Sequence, residues 1–305
     1  MVTSPAMARR RSGGRPAVLV AVLAAAVSGC APDATPKAGT TPPVLSVTSV
    51  PQVTDSTHLS LPVMPFLLSD DETRLLGRAH AALIDTCMIR FDVAPPPPIP
   101  DPSSAGPETR TERRYGLTDP ELARTHGYHL RADPPVGDAP AQLTADQELV
   151  LMGPTPAGTE FHGRTVPQGG CAQEATRALG GDLGNAELIQ RVDVDSILLA
   201  MKHVRVREAF RAWSACMAAR GHAYATPWDP PNDDRFSGPV PAPAEPAVAV
   251  DDVACKAETN VVGVWHAVDV AYQSAMIDEA SAEFEQIADT TTARLESTRD
   301  LLDER

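Results

Sequence analysis

Four cysteines constrain this chain more than any other feature, because they recur in a fixed order. Cys87-Met88 lies near the end of a helical pattern and precedes a proline-rich stretch, after which comes Cys171-Ala172-Gln173-Glu174. The order then repeats, with Cys216-Met217 near a helix end, a second proline-rich stretch, and Cys255-Lys256-Ala257-Glu258. Cys-Met followed by Cys-x-x-Glu, occurring twice, predicts two related helical halves, residues 65–183 and 184–305. Three pairings of four cysteines are open. The duplication favours the one whose two bridges close each half on itself, Cys87–Cys171 and Cys216–Cys255.

Whether those thiols oxidise depends on compartment, and residues 1–30 bear on that. Arg9, Arg10, Arg11 and Arg15 form a positive start, residues 16–27 an apolar stretch, and Val27-Ser28-Gly29-Cys30 follows. This is the layout of an export signal. The apolar stretch is too short to span a bilayer, which takes about 20 residues. The segment resembles bacterial lipoprotein signals. That resemblance implies diacylglyceryl transfer to the Cys30 thiol and cleavage before Cys30. Residues 1–29 are then the signal peptide, and the protein sits on the outer, extracytoplasmic face of the cell membrane. Met7 offers an alternative start to Met1, with a more compact signal. Two acyl chains give stable anchoring where one does not. Outside the cytoplasm an even set of four cysteines reads as two disulfides.

The formal charge is −14. Losing the four arginines of residues 1–29, with no acids among them, takes it to −18. So acidic a chain is not expected to bind nucleic acid, or an anionic membrane face, through bulk charge. Aromatic residues make up only 4%, so the core must be built from Ala, Val, Leu and Ile. No segment after the signal has 18 consecutive apolar residues, the length a transmembrane helix requires.

The fold class expected is mainly α: an irregular helical bundle with long Pro-rich loops, stapled by disulfides. Residues 30–64 hold the lipidated cysteine and a Pro/Thr/Ser/Val-rich stretch read as a disordered tether. Ser69-Asp70-Asp71-Glu72 is a capping box opening a helix with Leu76, Ala79, Leu83 and Cys87 on one face, ending near Phe91. Pro120 and Gly127 bracket a short helix. Thr144-Ala145-Asp146-Gln147 caps another, ended by Gly153 and Pro154. Residues 171–179 form a helix stopped by Gly180-Gly181. A long helical region opens at Asn185 and ends at Gly221, with a break expected near His203 although no breaker stands there. From about Ala247 to Arg305 no proline and only Gly263 interrupt the pattern, which predicts a long C-terminal helix whose end projects or frays after Ile287.

Arg110, Arg113, Arg114 and Arg131 cluster about Tyr115-Gly116, with Tyr128-His129 close behind. The functional reading is an anion or carbohydrate site, with arginines as forks and tyrosines as platforms. The plainer one pairs the arginines with Glu108, Glu112 and Asp119 on a solvated surface. Trp228 either lines a groove or pins its loop to the body, whereas Trp213 and Trp265 belong to the core. His126-x-x-His129 with His162 lacks the His-Glu-x-x-His or Cys-x-x-Cys spacing of a zinc site, so no metal and no cofactor is expected. Asp193-x-Asp195 and Asp251-Asp252 could serve glycoside hydrolysis only if converging in a cleft. No nucleophile elbow, phosphate loop or dinucleotide fingerprint occurs.

The segments Arg114-Tyr115-Gly116-Leu117, Trp213-Ser214-Ala215-Cys216-Met217 and Asp252-Val253-Ala254-Cys255-Lys256, with the cysteine-terminated signal, resemble uncharacterised lipoproteins of actinobacteria. That resemblance implies an envelope location and supplies no catalytic residues. The expected function is a non-enzymatic binding or scaffold protein, held to the membrane through Cys30 and meeting an envelope partner through residues 260–305. The alternative is a hydrolase or accessory subunit acting on wall glycan or peptide.

Overall fold

The computed structural model describes residues 45, 47, 49–97, 107–131, 142–153, 159–181 and 187–304. They belong to a unit running from Pro42 to Arg305. Cys30, the signal segment, Pro154 and Asn185 lie outside the described residues.

The protein is mainly helical, and local signals set most of the helix ends. Helix α1 (Asp70–Arg90) opens on the Ser69/Glu72 capping box, in which each side chain satisfies the other residue's backbone N–H. Helix α2 (Pro120–His126) is capped by Asp119 and closed by Gly127, and α3 (Ala145–Met152) by the Thr144/Gln147 box and Gly153. A two-residue hairpin follows, β1 (Glu160–Phe161) paired antiparallel with β2 (Arg164–Thr165). Its turn, His162-Gly163, has positive φ at both positions, the geometry that matches strand twist. Then come α4 (Gly170–Ala178), α5 (Glu187–Lys202) and α6 (Val204–Ala219). The chain breaks at His203 as expected. The His203 backbone is extended and its Nδ1 accepts from the Arg205 N–H, so the histidine is itself the cap of α6.

The C-terminal stretch is three helices, not one. They are α7 (Glu245–Thr259), α8 (Val261–Glu279) and α9 (Ser281–Asp303). The first break is Asn260, which takes the left-handed conformation at φ 52°, a state asparagine tolerates better than most residues. Its side chain accepts from the Val53 N–H and donates to the Pro51 carbonyl. Gly263 lies within α8, where an ideal Cβ would stand 2.1 Å from that same carbonyl. The break and the glycine therefore answer one demand, which is to seat residues 50–53. Nor does the end of the chain project. Leu295 and Thr298 are buried, and Arg294 donates to the carbonyls of Leu179 and Gly181 beyond the end of α4.

The tether reading fails for the described part of residues 30–64. Val47, Val53, Leu61 and Val63 are buried, the first two in the main core with Trp213 and Trp265, the others with Ile189 and Phe284. The reason is apolar burial: each such side chain removed from water contributes about 1.5–3 kcal/mol, enough to hold a segment with little regular structure of its own.

Both disulfides form as paired, Cys87–Cys171 joining α1 to α4 and Cys216–Cys255 joining α6 to α7. The duplicated motif is geometric as well. The Met88 carbonyl accepts from the N–H groups of Phe91 and Val93, and the Met217 carbonyl from those of Arg220 and His222. A residue at positive φ follows each helix end, Asp92 and Gly221. Beside each disulfide an arginine meets the Glu of Cys-x-x-Glu: Arg90 with Glu174, at 2.9 Å, and Arg220 with Glu258. The two halves do not stand apart, however. Leu117, Leu122 and Ala123 share a core with Ala249 and Val253 of α7, and α1 packs against α9.

Candidate functional site

The arginine–tyrosine segment, residues 107–131, enters the interior rather than lying on the surface. Ser56 and Thr57 receive it. The Ser56 hydroxyl donates to the Glu112 carbonyl and lies 3.0 Å from the Thr118 hydroxyl, and the Thr111 hydroxyl donates to the Thr57 carbonyl. Arg114, its side chain only 8% exposed, donates to Asp269 on α8 (2.7 Å) and to the side chain and carbonyl of Asp193 on α5 (2.8 and 2.7 Å). The Tyr115 hydroxyl donates to the same Asp269 at 2.7 Å. Burial works against the charge on Arg114, but the hydrogen bonds and attraction of Asp269 prevail and its pKa is raised. Burial first, then the Asp269 charge, raise that of Tyr115. Asp193 also faces Arg110, at 3.5 Å.

A second buried group lies one turn of chain further on. Gly116, at φ +83°, brings its backbone against Lys256, where a Cβ would lie 2.7 Å from Nζ. Lys256 donates to Asp252 (2.7 Å) and to the Leu117 carbonyl (3.0 Å), and Trp213 Nε1 donates to the other Asp252 oxygen (3.0 Å). Desolvation raises the Asp252 pKa and lowers that of Lys256, and each is opposed by the other's charge. The Tyr128 hydroxyl is buried beside Asp252, and burial followed by the Asp252 charge raises its pKa. Arg113 donates to the His129 carbonyl, and its buried Nε, without a hydrogen-bond partner, faces Glu112 at 3.8 Å; desolvation lowers its pKa.

The structure thus brings Arg113, Arg114, Tyr115 and Tyr128 to neighbouring positions in the core, not around an open site. Trp228 takes the anchoring role, packed on Trp265 at 5.6 Å between ring centroids. Of the pairs proposed for the arginines, Arg131 faces Glu108 and Glu112, at 3.8 and 3.4 Å, and Arg113 faces Glu112, at 3.8 Å. The histidines do not converge: His129 meets Glu245, His126 meets Thr125, and His162 meets the Phe91 carbonyl. Among the described residues no three His, Cys, Asp or Glu side chains are grouped to hold a metal ion. Asp251 and Asp252 diverge, Asp251 pairing outward with Arg220 and His222 and Asp252 pointing inward. Sequence reasoning missed Asp269, Lys256, Glu245 and Gln273 as buried polar groups. Only their positions on otherwise apolar helix faces could have signalled them.

One cavity, of about 600 Å³, lies between Asp55, Asp119, Pro120, Val250 and Ala254. Another, of about 310 Å³, lies between Leu179, Gly180, Thr290 and Leu301. Neither is lined by Arg113, Arg114, Tyr115, Tyr128 or Trp228. The large exposed apolar side chains include Ile89, Met152, Val194, Leu198 and Val240, and none falls within the described part of residues 260–305. No described helix is long and apolar enough to cross a membrane. Compared with known proteins, the chain matches no family model, no curated protein and no solved structure.

Proposed function

We propose that this chain is a lipid-anchored protein of the extracytoplasmic face of the cell membrane, acting as a non-enzymatic binding or scaffold protein. The observation that carries the reading is where the charged groups go. The arginines and tyrosines that could have formed a ligand site are engaged in closing the core, with Asp269, Asp193 and Asp252 as their partners or neighbours. The two disulfides support an oxidising compartment, in line with lipid on Cys30. A partner engaging residues 260–305 would meet the polar outer face of α9, where Glu283, Glu285, Asp289 and Glu296 are exposed.

The test is cross-linking in intact cells followed by pull-down, with Cys30→Ala as the companion variant. A reproducible envelope partner, and release of a folded Cys30→Ala protein from membranes, are the expected results. Retention of that variant on membranes would remove the anchor from the reading. Turnover of wall glycan or peptide, lost in Asp193→Asn or Asp252→Asn variants that remain folded, would replace it with the hydrolase reading.

A further inference from the structure

His129 stands between two acceptors. Its Nδ1 lies 2.8 Å from a carboxylate oxygen of Glu245, and its Nε2 lies 2.8 Å from the Gly238 carbonyl. A neutral imidazole carries one N–H, so it can donate to only one of them. Both contacts are hydrogen bonds only when the ring is an imidazolium. Of the eight histidines, all of them described, His129 is the one with both nitrogens on obligate acceptors. His203, by contrast, accepts through Nδ1 and faces a carbonyl through Nε2, which suits one proton.

The Gly238 carbonyl belongs to residues 237–244, Ser-Gly-Pro-Val-Pro-Ala-Pro-Ala, an exposed strap with no titratable side chain. It runs from the buried Phe236 to the first turn of α7. Two side chains of the body reach it: the Ala242 N–H donates to the second Glu245 oxygen, and Gly238 meets His129. The Ala242 carbonyl accepts from the Glu245 N–H, and Ala242 packs against the main core. Glu245 is fully buried and accepts from the Tyr128 N–H as well. The remaining charged groups about His129 are otherwise engaged. Arg113 donates to its carbonyl, and Arg131 faces Glu108 and Glu112. The neighbouring Tyr128 side chain packs against Phe236.

We propose that His129 is a pH-operated latch that pins the strap 237–244 to the body of the protein. Protonated, it bridges Glu245 to Gly238. Deprotonated, it keeps one bond, and the strap loses its tie at Gly238. The hydrogen bond to Gly238 and the Glu245 carboxylate, against a smaller desolvation, raise the His129 pKa above its ordinary value. The latch is therefore fully closed below the ordinary histidine pKa and opens as pH rises through the raised one.

The test is 15N-histidine NMR of the full chain through a pH titration, with amide exchange at Ala242 measured alongside. His129 is expected to keep both ring protons to a pH above the ordinary histidine pKa. Ala242 exchange, corrected for its intrinsic pH dependence, is expected to rise about tenfold or more across the His129 midpoint, the equivalent of one charge-assisted hydrogen bond. In His129→Gln the exchange is expected to be fast at every pH, with helix content unchanged. A His129 midpoint at or below the ordinary histidine pKa overturns the latch. So does flat Ala242 protection in the wild type, a measurement that stands whether or not the variant folds.

Discussion

Lys256 and Asp252 lie one helical turn apart in full burial, and their cost and their worth come from the same low dielectric. Separated from its partner, either charge would be stranded in the core. Lys256→Met, which leaves Asp252 unpaired, is expected to destabilise by about 3–5 kcal/mol. Adding Asp252→Leu should recover most of that loss, short of about 1–3 kcal/mol for the orphaned Trp213 N–H. Guanidinium unfolding of the single and double variants beside the wild type decides it, and a double mutant no better than the single would show that the pair is not the unit. Asp251, its neighbour, behaves oppositely. Burial works against its charge, but bonds from His222 and Arg220 prevail and its pKa is lowered. Its contribution is therefore present above the ordinary carboxylate pKa and lost as pH falls through the lower, folded one. Asp251→Asn is expected to flatten the acid limb of a stability–pH curve and leave stability above pH about 5 nearly pH-independent of this site.

At the scale of the element, the least obvious feature is the break between α7 and α8. Asn260→Ala would place Cβ in the left-handed region with no compensating bonds and release both ties to residues 51–53. The expected loss is about 3–4 kcal/mol, from roughly 1–2 for the conformation and about 1 for each of the two hydrogen bonds. Asn260→Gly should lose only the hydrogen-bond part. Exchange at the Val53 N–H should rise in both, and equal losses in the two would show the backbone geometry to be irrelevant. Gly263 follows from the same packing, since the Pro51 carbonyl occupies the space of its Cβ. Neither residue reads as a helix breaker from sequence with any force, because asparagine and glycine are tolerated within helices at modest cost. By contrast the capping boxes at Ser69 and Thr144 were legible. They are satisfied by residues three apart, and no distant partner decides them.

For the whole molecule, the two staples are the features most exposed to test. Chain entropy assigns roughly 4–5 kcal/mol to each, and the span from Cys87 to Cys171, 84 residues, exceeds the 39 from Cys216 to Cys255. Replacing the first pair by alanine is expected to cost slightly more than replacing the second, by about 0.5–1 kcal/mol on loop length alone. Denaturant midpoints would reveal the order, and a reversed one would mean that local packing outweighs loop closure. The repeated order of cysteines made the pairing readable, and the arginine–glutamate bridges beside both disulfides explain why a glutamate accompanies each second cysteine.

What the sequence by itself determined is the local and the covalent: capping boxes at Ser69 and Thr144, a short helix bracketed by Pro120 and Gly127, and a cysteine order that selects two bridges. What only the tertiary structure decided is which polar groups are inside. Arg114 and Tyr115 look like a surface site until Asp269, more than 150 positions away, is seen to receive both. Residues 47–63 look like a tether until the core closes on their valines and leucines. Caps and periodicity act between residues a few positions apart, so spacing reports them. A buried ion pair or a docked segment depends on partners that come close only once the chain has folded, and no spacing in one sequence encodes that distance.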